Sequence, residues 1–120
     1  MKEIKTIDDI ILLVNSFYEK VNKDELLSPV FNNVAKIDWD AHLPIMYSFW
    51  SAVLFDTNTY KGQPISVHTN LPITKDHFIR WLKLFKGTVD ENFTGEKADM
   101  AKSRADSIAE IFQLRLGLLK

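Results

Sequence analysis

Apolar residues spaced three and four positions apart run through most of this chain, and that spacing restricts it to helices. Ile7, Ile10, Ile11, Val14, Phe17, Tyr18 and Val21 form one stripe on a 3.6-residue period. Thr6 is placed to cap its start, with Asp9 three residues on. Asp8 and Asp9 suit the positive end of a helix, and Lys20 and Lys23 the other end. A second stripe follows Asp38 and holds Trp39, His42, Ile45, Met46, Phe49, Trp50, Val53 and Leu54. A third follows Thr74, with Phe78, Trp81, Leu82 and Phe85. The last follows Thr94, with Ala98, Ala101, Ala105, Ile108, Ala109, Phe112 and Leu116, and its alanines let a neighbouring helix approach closely. No alternating run, repeat or low-complexity tract competes with these patterns, so the expected fold class is all-α.

Prolines and glycines divide the stripes. Ser28-Pro29 predicts a short helical turn over 29–33 that carries Phe31 inward. Pro44 disfavours helical geometry at Leu43. The regular second helix is therefore predicted from Pro44 to about Phe55, with His42 in a tight lead-in turn. Gly87 reads as the stop of the third helix and Gly117 as the stop of the last.

At 120 residues the chain is expected to be one domain spanning its whole length. Its 15 basic and 16 acidic residues are interspersed, so no basic stripe exists to neutralise phosphates and nucleic acid is not an expected partner. The longest uncharged run, Ala41 to Phe55, falls short of the ~20 residues that span a bilayer. No leader segment is apparent at the charged N-terminus. With no cysteine, the chain has no disulfide framework, iron–sulfur cluster or thiolate zinc site. A soluble, cytoplasmic monomer without membrane contact is the expectation. Eight Phe, three Trp and three Tyr make the interior either unusually bulky or wrapped around something planar.

Polar residues within this apolar pattern carry the functional reading. In Tyr60–Pro72, two prolines and a glycine bracket one helical turn in which His68 shares a side with Ile65 and Leu71. An imidazole held this way is either a satisfied histidine or a metal ligand presented to a flat apolar group. No His-Glu-x-x-His and no i, i+4 histidine pair occurs, which speaks against zinc. His77, one residue before Phe78, reads as exposed. Tyr18, His42 and Trp81 each place a hydrogen-bond donor on an apolar face, on three different helices. A buried donor without a partner costs about 1–3 kcal/mol. Each therefore either meets a nearby carbonyl, or all three surround a small polar ligand.

The segments Phe17-Tyr18-Glu19-Lys20-Val21, Pro29-Val30-Phe31-Asn32-Asn33, His42-Leu43-Pro44-Ile45-Met46-Tyr47-Ser48-Phe49-Trp50, Tyr60-Lys61-Gly62-Gln63-Pro64 with His68, and His77-Phe78-Ile79-Arg80-Trp81-Leu82-Lys83-Leu84-Phe85 together resemble the group III truncated haemoglobins. The resemblance runs in order from about Ile7 to Leu116, and Pro44 is itself typical of that group. It implies a two-over-two helical globin holding non-covalent haem b (iron protoporphyrin IX). His68 matches the proximal iron ligand, Tyr18 and Trp81 the distal hydrogen-bonding residues, and His42 the histidine at the distal entrance. Phe31 and Met46 match positions packing on the porphyrin, and the helix faces add Phe49, Phe78, Leu82 and Phe85 as candidate walls. Among Arg80, Lys61 and His77, the sequence does not choose a partner for the haem propionates.

The implied function is binding of dioxygen, nitric oxide or another diatomic ligand at a five-coordinate iron, steadied by the Tyr18 and Trp81 donors. The alternative is a redox enzyme, a nitric oxide dioxygenase or peroxidase-like protein. With no flavin or nicotinamide domain in the chain, such an enzyme needs a separate reductase. A haem-free helical interaction module is the remaining reading.

Overall fold

The first helix, α1 (Ile7–Lys23), starts where the side-chain spacing places it. Asp9 accepts the backbone N–H groups of Lys5 (2.8 Å) and Thr6 (3.1 Å), while the Thr6 hydroxyl accepts the Asp9 N–H (3.4 Å). This reciprocal cap satisfies donors that the helix leaves open. The computed structural model describes residues 2–34, 36–55, 73–115 and 117. Tyr60–Pro72, with Lys61 and His68, lies outside the described residues, as does Leu116.

After α1 the chain turns at Asp24, whose carboxylate accepts the N–H groups of Leu26 (3.0 Å) and Leu27 (2.9 Å). A short π-helical segment, Val30–Val34, then takes the place of the expected helical turn.

Helix α2 (Trp39–Phe55) corrects the reading of Pro44, which lies inside it. Pro44 enters only one turn and a half after the start, so its missing N–H forfeits a single bond, the one to the Asp40 carbonyl. Ahead of it, the Asp38 carbonyl accepts from Ala41 (3.1 Å) and His42 (2.8 Å). The rings of Trp39 and His42 both pack on Tyr18 of α1. Those contacts hold the first turn helical, and His42 belongs to the helix rather than to a lead-in turn.

Helix α3 (Lys75–Asn92) likewise runs through Gly87 and ends at Phe93. A mid-helix glycine costs about 1 kcal/mol relative to alanine. Thr88 and Val89 are completely buried just beyond it, and their burial outweighs that cost.

Helix α4 (Glu96–Arg115) has Gly95 at its cap position and not, as the spacing suggested, Thr94. Gly95 has φ +101, and its carbonyl accepts the Asp99 N–H at 3.0 Å. Thr94 instead donates its N–H to the Lys2 carbonyl (2.9 Å), beside a parallel bridge between Lys2 and Phe93.

Helix α1 packs against α2 and α3, and α4 packs against α3 and α2. The pair α1/α2 thus lies over the pair α3/α4 in an all-α, two-over-two arrangement. Buried Ala98, Ala101, Ala105 and Ala109 let α4 approach its neighbours, while Phe17, Phe85 and Phe93 fill the centre. Among the described residues no helix is long and apolar enough to cross a membrane.

Candidate functional site

A cavity of about 840 Å³, its open mouth included, lies where the two layers part. Tyr18 from α1 and Phe31 from the π-helical segment line it, with His42, Met46, Phe49 and Trp50 from α2. Ile73, His77, Phe78 and Trp81 contribute from α3 and its approach, and Ile108, Ala109 and Phe112 from α4. Leu27 and Val30 close the end near the turn after α1. The lining is predominantly apolar, with a few convergent polar groups, which is the make-up of ligand and cofactor sites.

Of the residues singled out in the sequence, Tyr18, Phe31, His42, Met46, Phe49, Phe78 and Trp81 meet at this cavity. Leu82 and Phe85 do not line it. Phe85 is fully buried and lies between two indoles, stacked on Trp50 (centroids 4.7 Å apart) and on Trp81 (5.7 Å). It therefore sets the planes of two lining residues from behind. Phe17 adds an edge contact to Trp81 at 5.8 Å. His68 lies outside the described residues.

Tyr18 is 8% exposed and enclosed by rings: Trp39 at 5.2 Å, His42 at 5.4 Å and Phe31 at 6.2 Å between centroids. Burial pushes its phenol pKa upward, because the phenolate would lose solvation. The hydroxyl is thus kept as a protonated donor. Neither this hydroxyl nor the Trp81 indole N–H hydrogen-bonds to a described residue. Trp39 contrasts with them, donating Nε1 to Asn32 Oδ1 at 2.9 Å. The Asn32 amide in turn donates to Asn22 Oδ1 (2.8 Å) and to the Ser28 carbonyl (3.1 Å), which ties the π-helical segment to α1 and α2.

Arg80 follows the cavity-facing stretch of α3 but forms an ion pair with the buried Asp24 carboxylate. Burial alone would raise the Asp24 pKa. The Leu27 N–H and the Arg80 guanidinium outweigh it and hold the carboxyl below its ordinary value. This pair braces the end of α1 against α3.

His77, read from the sequence as exposed, is half-buried and lines the cavity. Its Nδ1 accepts the Thr74 N–H at 3.0 Å. The missed signal was its position three residues after a helix-capping threonine, where a side-chain acceptor turns back to the cap. Trp50, Ile108, Ala109 and Phe112 were also missed as lining, although each falls on an apolar stripe.

The family model of the bacterial-like globins matches residues 3–113. A group 3 truncated hemoglobin of Campylobacter jejuni subsp. jejuni is 36% identical over 110 residues, covering 88% of this chain and 87% of the relative. The crystal structure of group III truncated hemoglobin from Campylobacter jejuni superposes with a TM-score of 0.86 at 35% identity, over 100% of this chain and 97% of that one.

Proposed function

The chain belongs to the bacterial-like globin family, and from that premise we propose that it holds haem b non-covalently in the cavity and binds dioxygen, nitric oxide or a similar diatomic ligand there. One observation carries the reading: Tyr18 and Trp81 line an apolar cavity, and their donors have no partner among the described residues. The residues present suit a flat porphyrin, since Phe31, Met46, Phe49, Phe78 and Phe112 offer apolar walls.

Haem supplies, when bound, an iron with one coordination position for the protein's histidine and another for a diatomic ligand. His68 is the proposed iron ligand, on the strength of its match to the family motif. Tyr18 and Trp81 act on the ligand side. Beside an apolar wall, a donor aimed at a ligand gaining negative charge contributes ~1.5–3 kcal/mol. The raised pKa of Tyr18 keeps its proton in place for this role. His42, edge-on to Tyr18, is the proposed entrance residue, on the strength of its match to the family motif. Phe85 keeps the Trp81 ring in its plane.

Absorption spectra of the ferric, ferrous and ligand-exposed protein test the proposal. A Soret band that forms on haem addition and shifts with carbon monoxide is expected, with altered coordination in His68→Ala. A chain that gives no Soret band after haem addition overturns it.

Paired donors favour a second reading, because they hold a ligand too firmly for ready delivery. Reaction of bound dioxygen with nitric oxide, or handling of peroxide, fits such retention better than transport, and a partner reductase in the cytoplasm would restore the ferrous state. Stopped-flow mixing of the dioxygen-loaded protein with nitric oxide separates the two. Rapid conversion to nitrate and ferric protein, with a reductase found that restores the ferrous state between turnovers, supports the redox function; reaction with no such restoration supports simple binding.

A further inference from the structure

We propose that His77 is the carboxylate anchor of the cavity, donating its Nε2–H to a haem propionate; this rests on the haem reading above. The sequence left Arg80, Lys61 and His77 as candidates. Arg80 is already paired with the buried Asp24 carboxylate, and withdrawing it would leave that carboxylate uncompensated. Lys61 lies outside the described residues. His77 lines the cavity itself, next to Ile73 and Phe78.

The tautomer follows from the cap. Nδ1 accepts the Thr74 N–H at 3.0 Å and lies 3.0 Å from the Thr74 hydroxyl. A neutral imidazole that accepts at Nδ1 carries its hydrogen on Nε2. Nε2 makes no hydrogen bond to a described residue. The backbone thereby fixes one nitrogen and leaves the other, a donor, on a side chain that borders a predominantly apolar wall. Haem has two carboxylates that need donors wherever they leave solvent. His42, the other histidine among the described lining residues, packs against Tyr18 and Trp39.

The experiment measures haem loss to an excess of a high-affinity apoprotein scavenger, for haem and for haem dimethyl ester, in wild type, His77→Gln and His77→Glu. Glutamate and glutamine both preserve the cap, because either can accept the Thr74 N–H. Glutamate removes the donor and sets a like charge against the propionate; glutamine keeps a donor. Haem loss from His77→Glu should accelerate roughly ten- to a hundredfold, as expected for a charge-assisted hydrogen bond. Loss from His77→Gln should stay near wild type. Loss of the dimethyl ester should be the same in all three. Equal haem loss in wild type and His77→Glu overturns the anchor, and so does equal acceleration with haem and its ester, which would mark a merely structural residue. Wild type that binds neither porphyrin would instead overturn the haem reading beneath it.

Discussion

The rings of Tyr18 and His42 meet edge to face with centroids 5.4 Å apart, joining the middle of α1 to the first turns of α2. That contact leaves the Tyr18 hydroxyl on the cavity wall without a described partner. Tyr18→Phe keeps the ring and its packing and removes only the donor. Dioxygen release from the ferrous protein should become about ten- to a hundredfold faster, the equivalent of a hydrogen bond to a charged acceptor. Because burial raises the phenol pKa, the wild-type release rate should show no break from Tyr18 up to its ordinary value of 10.0. Flash photolysis or stopped-flow displacement reads both outcomes.

The convergence of Tyr18, His42 and Trp81 was legible because helical periodicity assigns each to an inner face. The start of α1 was legible because Thr6 and Asp9 act over a few residues. Pro44 and Gly87 were misread for the opposite reason. Their local preference to break a helix is outweighed by Trp39 and His42 packing on Tyr18, and by the burial of Thr88 and Val89. Thr94 failed as a cap because Gly95, at φ +101, takes the cap position, its carbonyl accepting the Asp99 N–H. An apolar stripe is also broad enough to serve two neighbours at once. For that reason Phe78 on the cavity and Phe85 behind it could not be told apart.

Asn32 should matter more than an exposed-looking asparagine would. It accepts from Trp39 Nε1 (2.9 Å) and donates to Asn22 Oδ1 (2.8 Å). Asn32→Leu leaves a partly buried indole N–H without its acceptor. The expected loss in chemical denaturation is about 1–3 kcal/mol, with a change in tryptophan fluorescence. Asn32→Asp keeps the acceptor but turns a carboxylate oxygen towards Asn22 Oδ1 and the Ser28 carbonyl, and should recover only part of that stability.

Acid should weaken the start of α1. The Lys2 ammonium group, 2.8 Å away, is the main influence holding the Asp9 pKa down to about 2, against the ordinary 3.8; the Lys5 and Thr6 N–H groups add to it, and burial opposes. A carboxyl whose pKa is lower folded than unfolded stabilises the fold above its unfolded value. That contribution drains away as pH falls from 3.8 through about 2. Asp24, also held below its ordinary value, acts in the same sense. Thermal melts between pH 5 and 2 should therefore show Tm falling less steeply in Asp9→Asn than in wild type. Equal slopes would remove Asp9 from the acid response.

Two glycines should respond in opposite directions to the same substitution. Gly87 lies within α3, and a Cβ built on it meets nothing within 4 Å. Gly87→Ala should stabilise the protein by about 0.5–1 kcal/mol through helix propensity alone. Gly95 has φ +101, and a Cβ there would fall 2.5 Å from Glu3 Cγ. Gly95→Ala should cost about 1–2 kcal/mol for the left-handed backbone, with a further loss as Glu3 is displaced. It should also loosen the Lys2–Phe93 bridge next to it, which hydrogen exchange at the Thr94 amide would report, since that amide donates to the Lys2 carbonyl. Urea melts of the two variants, run beside wild type, decide both signs. A destabilised Gly87→Ala would mean that the continuation of α3 depends on flexibility at that position and not on the burial of Thr88 and Val89.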